Sequence, residues 1–268
     1  MTMIKTLIRV TRPLRYALEE LVYSDDDFQK LLDLRGRLES DKFLIVGNGP
    51  SLNKTPLDLF TGIPSIGMNK IDLIFNRVRW RPSCIVVEND LVVKQHWKYL
   101  VESDIPTLIS WKARHAIPRR NRGHFIFFLN RLGHEFSNDQ RKGFGTSGTV
   151  TYSALQLAYF FGAELSVLVG VDHSFSNIEK SKPLDYEKRR GLDTNHFDPN
   201  YFQENSFWGV PDLDLSERGY KIARQAYEMA DRRIIDATVG GNLTIFEKAT
   251  IEQAHLRLAM DNEIDCSY

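Results

Sequence analysis

Residues 193–202 read Asp-Thr-Asn-His-Phe-Asp-Pro-Asn-Tyr-Phe, a run of polar and aromatic side chains with neither strand nor helix period. His196 is the residue in it best suited to act as a general base near neutral pH, with Asp193 and Asp198 close enough in sequence to orient or polarise the ring. A metal site built from the same three side chains is the weaker reading, because no second histidine stands at a ligand spacing. Two glycine-rich turns offer a different chemistry, the binding of anionic oxygen. Gly47-Asn48-Gly49-Pro50-Ser51 directly follows an apolar run, where a nucleotide or phosphate approaches the end of a strand. It has neither the Gly-Lys-Ser/Thr of a Walker A loop nor the third glycine of a dinucleotide fingerprint, and glycine also serves tight packing. Gly143-Phe144-Gly145-Thr146-Ser147-Gly148-Thr149 opens directly into the apolar stretch 150–161. Unpaired N–H groups at a helix start, hydroxyls and the helix dipole together make an anion site, whereas Ser147 or Thr149 as a simple helix cap is the competing reading.

Three further positions sit just past apolar runs. Asn69 and Asn89 carry amides that both donate and accept, as a base edge or ribose hydroxyl requires, although an asparagine that caps the next turn looks the same in sequence. Asp172, followed by His173 and Ser174, can hold a ligand hydroxyl or order a loop. Asp212-Leu213-Asp214 has the form of an Asp-x-Asp metal motif, but it precedes Ser216-Glu217-Arg218 and a helical pattern and is read as a helix lead-in.

These residues need elements to position them. Short apolar runs at 43–46, 65–68, 84–87, 107–109, 125–128 and 165–169 alternate with helical stretches. Runs apolar on both faces predict a single doubly wound, mostly parallel α/β sheet, whose ligands lie beyond the carboxyl ends of the strands. The expected organisation is a helical lead-in over 1–40, one α/β domain over 41–250 with a mobile insertion near 174–210, and a C-terminal helix and tail over 251–268. Ser24 with Asp27 three residues on marks a helix start in the lead-in.

Composition removes several classes. The 268 residues are 42% hydrophobic and 26% charged, with 35 basic and 35 acidic residues, so a nucleic-acid partner, which needs clustered excess Lys and Arg, is not expected. Cys84 and Cys266 show no CxxC spacing, which fits a reducing cytoplasm better than a disulfide framework or a zinc site. No apolar run reaches the roughly 18–20 residues that span a bilayer, and no signal-peptide pattern opens the chain. The segment 3–22 interleaves Lys5, Arg9, Arg12 and Arg15 with Ile4, Leu7, Ile8 and Leu14, compatible with peripheral contact at an inner membrane. Pro13 argues against that, and a helix covering its own core or a partner subunit in a homo-oligomer is the plainer reading.

As a set, Gly-Asn-Gly-Pro-Ser at 47–51, Thr-Ser-Gly at 146–148, Gly-Val-Asp at 170–172 and Asn-His at 195–196 resemble the sialyltransferases of glycosyltransferase family 42. The longer strings Gly-Thr-Val-Thr-Tyr-Ser-Ala-Leu-Gln-Leu-Ala-Tyr, Gly-Val-Asp-His-Ser-Phe and Asn-His-Phe-Asp-Pro-Asn-Tyr-Phe resemble more closely a bacterial family of polysaccharide-locus proteins. That family is related to motility-associated flagellin glycosyltransferases and is labelled hydroxymethylpterin pyrophosphokinase-like. The resemblance runs over about residues 42–246. It implies a Rossmann-like, sialyltransferase-like variant of the GT-A fold. The implied reaction is inverting, metal-independent transfer of a nonulosonic acid, of sialic acid or Kdo type, from a CMP-activated donor to a glycan or protein hydroxyl in lipopolysaccharide or capsule biosynthesis. By position it implies that Asn48, Gly49 and Ser51 meet the donor phosphate and ribose, and that Asn69 and Asn89 hold nucleotide or sugar. Thr146, Ser147 and Gly148 would contact carboxylate or phosphate, Asp172 the cytidine, and His196 the acceptor proton. Where those sialyltransferases carry tyrosines after the Gly-x-Asp strand, this chain has His173, Ser174 and Phe175, so leaving-group assistance falls to His173 or Tyr201.

Two rival functions follow from the same residues. The family label implies ATP-dependent pyrophosphoryl transfer to a hydroxymethylpterin, which needs Mg²⁺; only Asp90 and Asp172 stand ready as its ligands, with Lys54 the one lysine near the glycine turn. A non-catalytic nucleotide-binding subunit of a polysaccharide assembly is the other. Acceptor recognition is expected in loops 112–142 and 174–210, with Trp111, Arg114, Arg119, Arg120, Arg122 and Trp208 as candidate contacts.

Overall fold

In the computed structural model the described residues are 18, 20–131, 133–137, 139–176, 186–189 and 191–260. Nearly all of the basic amphipathic segment, Cys266 and the C-terminal tail lie outside them. Eight strands form one sheet: β1 (Lys42–Val46), β2 (Ser65–Met68), β3 (Cys84–Val87), β4 (Thr107–Ser110), β5 (Ile126–Phe128), β6 (Leu165–Val169), β9 (Arg233–Asp236) and β10 (Glu247–Lys248). Their order is β10-β9-β6-β1-β2-β3-β4-β5, and every pairing is parallel. The short strands β7 (Tyr186–Lys188) and β8 (Phe207–Gly209) pair antiparallel in a separate ribbon.

The apolar runs form strands because both faces of the sheet are covered. Alternate residues feed opposite cores. Leu44, Val46, Ile85, Val87, Val167 and Val169 pack with α2 (Asp90–Glu102) and α5 (Ile251–Ala259). Phe43, Ile45, Val86, Leu108 and Leu168 pack with α1 (Asp25–Leu38), α3 (Val150–Phe160) and α4 (Leu213–Glu228). Helix α3 is apolar nearly all round, from Thr151 to Ala158 without an exposed residue, because it lies between the sheet and α4. Ser24 caps α1: its hydroxyl accepts from the Asp27 N–H at 3.1 Å and donates to the Asp27 carboxylate at 2.7 Å.

The chain leaves β1 toward β5 on one side and returns to β6 on the other. The order therefore reverses between β1 and β6, the place where open α/β sheets hold ligands. The described part of the expected insertion is packed: Asp193, Asn195, Phe197, Tyr201, Phe202 and Trp208 are buried. Among the described residues, no helix is long and apolar enough to cross a membrane.

Candidate active site

A cleft of about 860 Å³ opens at the carboxyl ends of β1, β2, β3 and β6. Its floor is the β1 turn laid on the β6 turn. Gly47 N–H donates to the Val169 carbonyl at 2.8 Å and Gly49 N–H to the Gly170 carbonyl at 2.9 Å. A Cβ at Gly47 would overlap the Gly170 carbonyl, and one at Gly49 the Asp172 carboxylate. The two glycines are therefore needed for this contact, and a ligand above them meets bare backbone. Asn48 donates from Nδ2 to the Met68 carbonyl at 2.8 Å, while its buried Oδ1 has no hydrogen-bond partner among the described residues.

Ser51 does not line the cleft. Its hydroxyl donates to Asp172 Oδ2 at 2.6 Å and its N–H to Oδ1 at 3.1 Å, so Ser51 and Asp172 close on each other, although Asp172 still borders the cleft. A serine at the start of a 3₁₀ turn and an aspartate at a strand end satisfy each other before any ligand does. Thr146 and Ser147 also stand off the cleft wall: the Thr146 carbonyl takes the His134 ring at 2.6 Å, and Ser147 donates to the Leu215 carbonyl at 2.6 Å under Gly219. Gly148, at φ +68°, brings Thr149, Val150 and Thr151 to the wall instead, and Thr149 caps α3 by accepting from the Thr151 N–H. Asn69, held at φ +51°, and Asn89 both border the cleft. Asn89 also caps α2, its Oδ1 accepting from the Leu91 N–H at 2.8 Å.

His196 also borders the cleft. Its Nδ1 is 2.9 Å from Asp193 Oδ2, and Asp193 is buried, with Arg189 at 3.4 Å and the Asn195 N–H at 2.9 Å on its other oxygen. Burial pushes the Asp193 carboxyl up, but the hydrogen bond and charge of His196, the Asn195 N–H and Arg189 outweigh it and hold the group below its ordinary value. Asp193, not Asp198, is thus the partner of the imidazole; Asp198 accepts from the Asn200 N–H at 2.8 Å. With Nδ1 occupied, Nε2 is the ring nitrogen left for a ligand. The ring lies flat on Tyr201, centroids 3.9 Å apart and planes within 1°. Tyr201 borders the cleft but is almost fully buried; its hydroxyl accepts from the Lys70 N–H at 3.4 Å, and burial pushes the phenol up.

His173 stands beside Asp172 with φ +52°, a left-handed backbone that costs a non-glycine residue strain, and its Nε2 is 3.3 Å from Glu217 Oε1. Glu88, at the end of β3, was not singled out by sequence reasoning, although searching the residue after each apolar run finds it. It accepts from the buried Ser153 hydroxyl at 2.7 Å and faces Lys112, which borders the cleft beside it, at 3.7 Å. Nothing in the sequence marks Lys112, because no motif ties it to β3. Of the expected acceptor contacts, Trp208 borders the cleft, whereas Trp111 is buried against Tyr23 with Arg114 over its ring. Asp212 caps α4, as a helix lead-in does. Among the described residues no group of three His, Cys, Asp or Glu is arranged to hold a metal ion.

No protein-family model matches this chain, and no curated protein matches it in sequence. Among solved structures it is similar to the MAf glycosyltransferase from Magnetospirillum magneticum AMB-1, at a TM-score of 0.49 and 13% identity over 81% of this chain and 36% of that one. This chain thus spans little more than a third of the length of that relative. It is also similar to the sialyltransferase CstII from Campylobacter jejuni, solved in complex with a substrate analogue, cytidine-5'-monophosphate, at a TM-score of 0.41 and 14% identity over 79% of this chain and 86% of that one.

Proposed function

We propose that this protein is an inverting glycosyltransferase that takes a nonulosonic acid, of sialic acid or Kdo type, from a CMP-activated donor and passes it to a hydroxyl of a glycan or protein. The observation that carries the reading is the buried Asp193 holding His196 at the edge of a cleft floored by the Gly-Asn-Gly turn at the sheet's switch point. His196 Nε2 accepts the acceptor's hydroxyl proton as that oxygen attacks the anomeric carbon; the bond from that carbon to the phosphate oxygen breaks, and CMP departs with the electron pair. Donors aimed at the phosphate stabilise it, and a single phosphate diester carries little enough charge for hydrogen bonds to replace a metal. The start of α3, where Gly148, Thr149 and Val150 border the cleft, supplies those donors, and the Gly47–Gly49 turn gives the phosphate room to approach. Protonation of, or a hydrogen bond to, the leaving phosphate is assigned to His173, which Glu217 braces, with Tyr201 as the alternative.

A thermal-shift series with CMP, CDP, UDP, GDP and ATP, with and without Mg²⁺, tests this. CMP at about 100 times its dissociation constant adds roughly 2.7 kcal/mol and raises Tm by a few degrees without Mg²⁺. Stabilisation by ATP with Mg²⁺ alone would replace the reading with pyrophosphoryl transfer. CMP stabilisation with neither hydrolysis nor transfer of CMP-sialic acid or CMP-Kdo would leave a non-catalytic binding subunit.

A further inference from the structure

Lys70 follows β2 and does not border the cleft, yet it grips the residue on which His196 rests. Its backbone N–H donates to the Tyr201 hydroxyl at 3.4 Å, and its Nζ donates to the Tyr201 carbonyl at 2.7 Å. One residue thus holds both ends of the tyrosine whose ring lies flat against the imidazole. Nζ also sits 4.8 Å from the centre of the Phe202 ring, which meets His196 edge-on at 5.4 Å, and donates to Gln95 Oε1 at 3.2 Å. Gln95 in turn donates to the Phe207 carbonyl at 3.1 Å, tying the same ammonium to the β7–β8 ribbon. A lysine that is only 6% exposed loses rotamer freedom and hydration, a cost that surface placement would avoid.

We propose that Lys70 is the positioning residue for His196: it fixes Tyr201 and Phe202 as the seat of the imidazole and sets the charge beneath the Asp193–His196 pair. The proposal rests on His196 being the acting base, but the seat itself can be read without any substrate. The charged and titratable groups facing this ammonium are Asp72 beside it, Asp193 and Tyr201 from the loop, and His96 of α2, which is bound to Asp72 at 2.7 Å. Burial is the largest influence and pulls the Lys70 ammonium down to about 8, against Asp72 and Asp193, which push it the other way.

The test is the His196 Cε1–H resonance in histidine-labelled full-length protein, assigned among seven histidines by its loss in His196→Asn. In the wild type the ring current of Tyr201 displaces this resonance, and its pH curve carries a second inflection near pH 8 as Lys70 loses its proton. Lys70→Met removes that inflection and moves the resonance toward that of an unstacked imidazole, while Lys70→Arg, which keeps charge and donors, restores the displacement. A wild-type resonance at the position of an unstacked imidazole, or an identical resonance in a folded Lys70→Met, overturns the proposal; the first needs no variant to fold. In transfer from CMP-sialic acid, Lys70→Met lowers kcat about tenfold with KM unchanged, as expected for a misplaced base. If His196→Ala leaves transfer intact while the Lys70→Met resonance moves, the seat stands and the assignment of His196 as base falls.

Discussion

The backbone N–H of Phe197 donates to the carbonyl oxygen of Asn48 at 2.9 Å, and the Phe197 carbonyl accepts from Asn53 Nδ2 at 2.8 Å. The residue after the imidazole is therefore pinned to the turn that floors the cleft. Two segments nearly 150 residues apart in sequence are thereby joined directly, which sets the distance between His196 and the glycine turn.

His196→Ala is expected to lower transfer by about 10² to 10⁴-fold in kcat while CMP affinity stays close to that of the wild type, because a lost general base affects the transition state and not nucleotide binding. Parallel calorimetry with CMP and kinetics with CMP-sialic acid separate the two. Unchanged turnover would remove His196 from the chemistry.

Asp193→Asn keeps the shape but offers Nδ1 no carboxylate. The expected loss is on the order of 10²-fold in kcat, through a free choice of tautomer and a weaker imidazolium. Stability changes too. The Asp193 carboxyl lies below its ordinary value when folded, so its stabilisation is complete above the unfolded value and is lost as pH falls through the folded one. Acid unfolding of Asp193→Asn should therefore show a shallower decline in stability below the unfolded carboxyl value than the wild type, as read by denaturant midpoints at successive pH values.

Lys70 works in the opposite direction. Its ammonium titrates at about 8 when folded against 10.5 unfolded, so the unfolded chain binds more protons between those values and stability rises with pH across that window, by up to about 3 kcal/mol from this group. In Lys70→Met that rise disappears. Urea midpoints at pH 7.5 and pH 10 in both proteins decide it, and equal slopes would show that Lys70 stays charged.

Gly49→Ala places a Cβ on the Asp172 carboxylate and must push apart the pair that Ser51 closes. A destabilisation of about 2–4 kcal/mol is expected, together with loss of CMP stabilisation, since both cleft-floor turns shift. A wild-type Tm in this variant would mean that the close approach of the two turns is not required.

Much of the fold was legible because parallel strands buried on both faces read as unbroken apolar runs. The six runs from 43–46 to 165–169 coincide with β1 to β6 to within a residue or two. Strand β9, whose only apolar residues are Ile234 and Ile235 between Arg233 and Asp236, and the two-residue edge strand β10 were missed, because neither holds an apolar run long enough to stand out. The same contrast holds in the site. The strand-end rule sufficed to bring the Gly47–Gly49 turn and Asp172 together, since ligands gather where strands end, whereas only the resemblance joined His196 to them; all of these border one cleft. Which hydroxyls face the ligand was beyond the sequence. Ser51 and Ser147 have the right chemistry, yet Asp172 and the Leu215 carbonyl, distant in the chain, reach them first.

The sequence by itself determined where the sheet runs and which loops can carry chemistry, because periodicity and strand ends are local properties. Only the tertiary structure decided that Asp193 rather than Asp198 braces the imidazole, that Tyr201 stacks flat against that ring, and that Lys70 holds Tyr201. Each of these depends on which buried polar group finds a partner from a distant segment, and no spacing along the chain encodes that pairing.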